Sequence, residues 1–395
     1  MDDAEQDLPP LLLPLPEGIS SRQLQPSPSE LSFHILEAGS KGQPLILLVH
    51  GFPELAYSWR RVMPLLAKAG YYTVAVDQRG YGRTTGWDTR SFEEVDLNNF
   101  SVTNLIRDMV VLVHALGYRR VDCLVGHDFG SVTASLCALT RPDFFKKVVL
   151  MSHPFKGSPK LPFDAPSPSP LATTIPKPDI HHDLAHLPTP RKHYKWYYST
   201  SPAATELLHP QSSLHTFLRG YFHLKSADWT SNNPHPLVSW TAPELAKVPT
   251  YYIMPLHKGM RETVAEAMSV EDPSVVAKRS ARWFPDGELD VYVREFGRTG
   301  FQGGLNWYRV QTALNPSRTR DLDVFAGKMI EVPCLFISGK QDWGTYQEPG
   351  VVEGMGKVCS DFRGVKIIDG AGHWVQQERP EEVVREILGF MIEQK

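Results

Sequence analysis

The sequence is poor in cysteine, has almost no net charge and contains no long uninterrupted apolar run, and each shortage removes a class of protein. Its four cysteines, Cys123, Cys137, Cys334 and Cys359, include no CxxC pair and have no histidine at zinc-site spacing, so neither a disulfide framework nor a structural metal is expected. Cys123 and Cys334 lie inside apolar runs and read as buried thiols. With 41 basic against 44 acidic residues, no basic surface points to nucleic acid or an anionic membrane. The N-terminal "LPPLLLPLPEG" lacks a basic leader and is broken by prolines, and no stretch elsewhere is long enough to span a bilayer. The C-terminal "IEQK" matches neither a peroxisomal nor a retention signal. A cytoplasmic protein acting on a small molecule is the expectation, with no internal repeat.

What is present is a regular alternation. "PLILLVH" (44–50), "YTVAV" (72–76), "VDCLV" (121–125) and "KVVLM" (147–151) are continuous apolar runs, as strands buried on both faces of a parallel sheet require. Between two of them, "NLIRDMVVLVHALG" (104–117) is an amphipathic crossover helix stopped by Gly117. The rhythm lapses after Met151 into a segment rich in Pro, His, Tyr and Trp. It resumes with "PCLFIS" (333–338), "VKIID" (365–369) and the helix "PEEVVREILGFMI". The spacing predicts an N-terminal extension over 1–30, an α/β core over 31–151 and 323–395 with a mostly parallel sheet flanked by helices, and a mainly helical lid over 152–322. Within the lid, part of 157–190 reads as either an ordered but irregular excursion or a mobile loop.

The chemistry begins at "VDCLVGHDFGS", a strand followed by Gly126-His127-Asp128-Phe129-Gly130 and a helical stretch. Two glycines permit the tight strand-to-helix turn of a nucleophile elbow, which lifts its middle side chain off the sheet. That side chain is Asp128; a plain helix cap is the bland alternative. An elbow enzyme also needs an acid after a later strand and a histidine near the end of the fold. Asp342 in "CLFISGKQDWG" and His373 in "IIDGAGHWV" stand in that order. "LLVHGFPE" follows another strand, so the backbone amides of Phe52 and Phe129 are the candidate oxyanion donors. His50 and His127 read as structural.

A carboxylate nucleophile suits saturated carbon. Serine attacking an epoxide would leave an ether, whereas aspartate leaves an ester that water can open at its own carbonyl. The set "HGFPE…YSWR", "DQRGYGRT", "GHDFGS", "GKQDWG", "GAGHW" and "NWYR" resembles the soluble epoxide hydrolases of the α/β-hydrolase fold. The resemblance implies two lid tyrosines that protonate the opening ring. Tyr308 in "GGLNWYRV" matches the second; for the first, Tyr194 in "HYKWYYS" is favoured, with Tyr251 and Tyr252 as rivals. It implies no cofactor and no metal, and an epoxide and water as reactants; oligomeric state stays open, a homodimer included.

The lid is longer than usual for the family, and the N-terminal thirty or so residues have no counterpart in it. Pro53, Trp307, Tyr197, Trp343 and Trp374 are candidate pocket residues. Trp196, Trp229, Trp240, Trp283 and Trp307 read as lid core or pocket lining and favour an apolar substrate. "DIHHDLAH" reads as a solvated loop rather than a metal site. A dehalogenase of the same fold would carry Trp or Arg after the nucleophile, where this chain has Phe129. A non-catalytic receptor would not need Asp128, Asp342 and His373 together.

Overall fold

A computed structural model describes residues 12–27, 29–160, 179–312 and 320–392. The strands are β1 (Ile19–Leu24), β2 (Phe33–Ala38), β3 (Leu45–Val49), β4 (Tyr72–Val76), β5 (Cys123–His127), β6 (Val148–Met151), β7 (Arg191–His193), β8 (Ile253–Pro255), β9 (Cys334–Gly339) and β10 (Phe362–Ile368). Eight form one sheet in the order β1-β2-β4-β3-β5-β6-β9-β10. From β4 to β10 all neighbours are parallel, while β1 and β2 add an antiparallel edge.

The apolar runs are central strands for the expected reason. Every residue of β3, β4, β5 and β6 is buried, because helices cover both faces. The crossover helix Val102–Ala115 lays Ile106, Met109, Leu112 and Val113 on the sheet, and the closing helix Pro380–Ile392 covers the other side with Val383, Ile387 and Phe390. Each such side chain contributes roughly 1.5–3 kcal/mol of burial.

The boundary expected at Leu31 moves. β1 pairs along its length with β2, so the core sheet begins at Ile19 and the N-terminal segment is not a mere extension. "ISSRQL" is an edge strand with three of its six residues exposed, so it carries no continuous apolar run to announce it.

The insertion between β6 and β9 is mainly helical, with a two-stranded ribbon, β7 antiparallel to β8. Its chief helices are Leu214–Lys225, Met260–Met268, Asp286–Thr299 and Gln302–Thr312. Much of the excursion expected over 157–190 lies outside the described residues. Its end does not stay irregular: Ile180–Ala185 is a short helix capped by the Asp179 carboxylate, which accepts from the His181 and His182 amides. Trp196 and Trp240 are not lid core, being 39% and 44% exposed. Trp196 projects from the outer side of the helix Tyr194–Tyr198, whose inner face buries Tyr194, Tyr197 and Tyr198. No helix among the described residues is long and apolar enough to cross a membrane.

Candidate active site

The sheet reverses direction of growth at β3, which lies between β4 and β5, and this is where a crevice opens beyond the carboxyl ends of parallel strands. Phe52 follows β3, Asp128 follows β5, Asp342 follows β9 and His373 follows β10, so one sheet edge gathers all four.

Asp128 sits at φ 53°, ψ −117°, between the last residue of β5 and the first of the helix Phe129–Thr140. A non-glycine residue at positive φ costs of order 1–3 kcal/mol and persists only where its surroundings enforce it. Here they do: a Cβ on Gly126 would strike the Gly130 carbonyl, and one on Gly130 would strike the carbonyls of Val49 and His50. The side chain does not cap the helix. Instead its Oδ1 accepts the Phe52 amide at 3.1 Å, and its Oδ2 stands 3.5 Å from His373 Nε2. The second distance is longer than an ordinary hydrogen bond.

His373 Nδ1 lies 3.0 Å from Asp342 Oδ1, and Asp342 also accepts the Gly344 amide at 2.7 Å and the Ser338 hydroxyl at 3.2 Å. Burial opposes a charged imidazole, yet Asp342 and Asp128 outweigh it and push His373 up to about 9. Burial likewise opposes ionised Asp128, but His373 above all, with His127 and Lys225, holds its carboxyl far below the usual range. Both shifts favour an imidazolium between two carboxylates in the resting centre.

His50 and His127 are both fully buried and hydrogen-bonded. His50 Nδ1 meets the Gly51 carbonyl and its Nε2 accepts the Gln78 amide. His127 spans Glu54 Oε2 at 2.5 Å and the His373 carbonyl at 2.7 Å. Glu54, fully buried, also accepts from the Gly51 amide and Gln376. It thus braces the Phe52 loop, the elbow and the histidine loop at once.

Over this centre the lid presents aromatic rings. Tyr308 packs edge-on against Phe129 at 4.6 Å and Phe52 at 5.5 Å, and the Tyr194 ring lies 6.0 Å from it. Burial first holds both phenols well above their ordinary range, followed for Tyr194 by the Asp128 charge and for Tyr308 by Tyr194 and then Asp128. The rivals for the first tyrosine are placed otherwise: the Tyr251 hydroxyl donates to Asn232 Oδ1 at 2.7 Å, and the Tyr252 hydroxyl is buried without a partner among the described residues.

Of the expected pocket residues, Trp374 packs edge-on against His373 with ring centres 4.6 Å apart and donates Nε1 to the Phe222 carbonyl. Trp307 lies against Phe129 and donates to the Arg79 carbonyl, Trp343 packs near His235, and Pro53 is buried directly after Phe52. Tyr197 is turned elsewhere: its hydroxyl donates to Glu206 and its ring takes the Lys192 ammonium, so it does not face Asp128. One helical step separates it from Tyr198, whose ring reaches Phe52 and Tyr308. A separate cavity of about 440 Å³, lined by Val132, His153, Phe155, Lys195 and Glu348 among others, includes none of the expected site residues. No cluster of three or more His, Cys, Asp or Glu among the described residues is placed to hold a metal.

A family model for the alpha/beta hydrolase fold matches residues 44–380. Epoxide hydrolase B of Mycobacterium tuberculosis is 32% identical over 355 residues, 88% of this chain and 91% of that protein. The chain belongs to the epoxide hydrolases of the α/β-hydrolase fold. Epoxide hydrolase A of the same organism is 32% identical over 90% of this chain and 93% of its own length. Among solved structures, an epoxide hydrolase from an endophytic Streptomyces superposes with a TM-score of 0.71 at 28% identity, covering 95% of this chain and 96% of its own. Potato (Solanum tuberosum) epoxide hydrolase I gives 0.68 at 29%, covering 94% and 99%. The enzyme is a hydrolase that acts on epoxides.

Two residues at this centre escaped the sequence reading. Glu54 was visible only as the last letter of "HGFPE", and Lys225 closes a lid helix whose pattern reads simply as amphipathic. Their roles come from contacts distant in sequence.

Proposed function

We infer that the enzyme hydrolyses a small, largely apolar epoxide to a vicinal diol through an ester on Asp128. The observation that carries this reading is the nucleophile itself: a buried, ionised carboxylate held off its helix and aimed past His373. Asp128 attacks an epoxide carbon while Tyr308 and Tyr194 hydrogen-bond the ring oxygen. Breaking the ring C–O bond sends its electron pair to that oxygen, and a phenol supplies the proton.

Alkylation removes the Asp128 charge, and with it part of what keeps His373 protonated. Its pKa then falls from about 9 toward the range of a general base. His373, oriented by Asp342, draws a proton from water. The hydroxide adds to the ester carbonyl, whose oxyanion is held by the Phe52 amide and, beside it at the helix start, the Phe129 amide.

Phe129 supports epoxide opening over dehalogenation, since its ring, packed on Tyr308, offers no N–H to a departing halide. A cytoplasmic setting agrees with four buried, unbridged thiols. Diol formation from a panel of aromatic and aliphatic epoxides tests the reading, with Asp128→Ala as control and halide release from matched haloalkanes alongside. Diol absent in the variant is expected; halide without diol overturns the assignment.

A further inference from the structure

Lys225 ends the lid helix Leu214–Lys225 and is 3% exposed, yet its ammonium has neither an ion-pair nor a hydrogen-bond partner among the described residues. It is surrounded instead by ring faces. The Nζ lies 4.3 Å from the ring centre of Tyr252, 4.7 Å from Tyr221, 5.5 Å from Tyr251 and 5.8 Å from Tyr194. Its own carbonyl accepts the His373 amide at 2.8 Å, which fixes the helix end against the catalytic loop. An unpaired ammonium in a protein interior is costly, and an apolar side chain would pack there at less expense. Ring faces compensate only in part, at about 0.5–2 kcal/mol each. Stability alone gives no reason for the charge.

The reaction does. When the ring opens, a proton leaves a phenol for the ring oxygen and the phenol becomes a phenolate. That negative charge develops in a dry, aromatic space where a fixed positive charge is worth most. The geometry points to Lys225 as a positioning residue for ring opening, its ammonium 5.8 Å from the ring of the donor Tyr194 and among the tyrosines packed on it, holding that phenol acidic enough to release its proton. This rests on the epoxide-opening reading and deepens it.

The protons balance without Lys225 losing one. In the second step His373, with Asp128 alkylated, first releases its resting proton to solvent; one water proton then passes through it to the departing diol oxygen, the proton left on the regenerated carboxyl returns to the phenolate, and solvent reprotonates His373. Lys225 acts by its charge throughout.

The groups facing it from each packed element are Tyr194 from the lid helix Tyr194–Tyr198, Tyr221 from its own helix, Tyr251 and Tyr252 ahead of β8, and His373 across the backbone bond. Asp128, Asp342 and Glu54 act from the core. Burial lowers the ammonium's pKa, the three carboxylates counter it, and it settles at about 8. Alkylation is therefore expected to weaken above that pH.

The test is single-turnover alkylation of the full-length enzyme by styrene oxide, an uncharged probe, followed by rapid quench and intact mass from pH 6 to 10. The wild type, Lys225→Met and Lys225→Arg are compared. The wild type is expected to lose rate through about pH 8. Lys225→Met is expected to alkylate about tenfold or more slowly, without that limb, while its ester hydrolysis stays within about threefold. Lys225→Arg is expected to keep the rate and carry it to higher pH, since arginine does not titrate there.

Wild-type alkylation in Lys225→Met overturns the proposal. So does a limb that stays near pH 8 in Lys225→Arg, the variant that decides the matter if Lys225→Met does not fold. If the wild type forms no ester at Asp128 with any epoxide, the parent reading falls and this one with it.

Discussion

Replacing His373 by glutamine is expected to separate the two proposed halves of the reaction. Glutamine fills much of the imidazole volume and can still face Asp342, but it takes no proton at neutral pH. General-base catalysis contributes about 10²–10⁴, so hydrolysis of the Asp128 ester is expected to slow by that factor. Alkylation should survive. Although His373 does most to keep the Asp128 carboxyl ionised against burial, His127 and Lys225 also favour its ionised form, and the Phe52 amide still bonds it at 3.1 Å. After exposure to an epoxide, intact mass should show one adduct equal to the epoxide's mass, stable for about 10²–10⁴ times the wild-type turnover time. Peptide mapping should place it on Asp128. Turnover within about tenfold of wild type, or an adduct on another residue, refutes the assigned roles of both side chains.

Four further outcomes are expected. Tyr308→Phe should slow alkylation by about 10–100-fold and leave ester hydrolysis unchanged, as rapid-quench kinetics would show. Hydrolysis of the preformed ester should speed up as pH rises through a midpoint below 9, because His373 loses the Asp128 charge on alkylation; a midpoint at or above 9 contradicts the switch. Glu54→Ala removes one partner of a fully buried pair with His127 and should cost about 3–5 kcal/mol in denaturant unfolding. Gly130→Ala drives a methyl group into the Val49 and His50 carbonyls, so the elbow should open and diol formation vanish before the fold does, as circular dichroism beside activity would show.

The legible parts of this enzyme were those whose physics is local. β3 to β6 and β9 declare themselves because a strand covered on both faces must be continuously apolar, and the elbow declares itself because only glycines tolerate its close backbone contacts. β1 stayed hidden: an edge strand made of "ISSRQL" takes its structure from the hydrogen bonds of β2 rather than from its own pattern. In the lid, Tyr197 and Tyr198 are adjacent letters, yet one meets Glu206 and the other Phe52, a difference set by helix phase. The exposed Trp196 fell to the same cause. Lys225 was illegible for a stronger reason, since its cage is drawn from three separate stretches of chain.

The bonds from the Lys225 carbonyl to the His373 amide, and from the Trp374 indole to the Phe222 carbonyl, join lid to core beside His373. In evolutionary terms they make the lid a poor interchangeable part. A lid grafted from a relative with a different pocket would have to supply two main-chain oxygens in register with residues 373 and 374, or the histidine would lose its seat. New substrate ranges are therefore more readily reached by changing side chains within this lid than by replacing it.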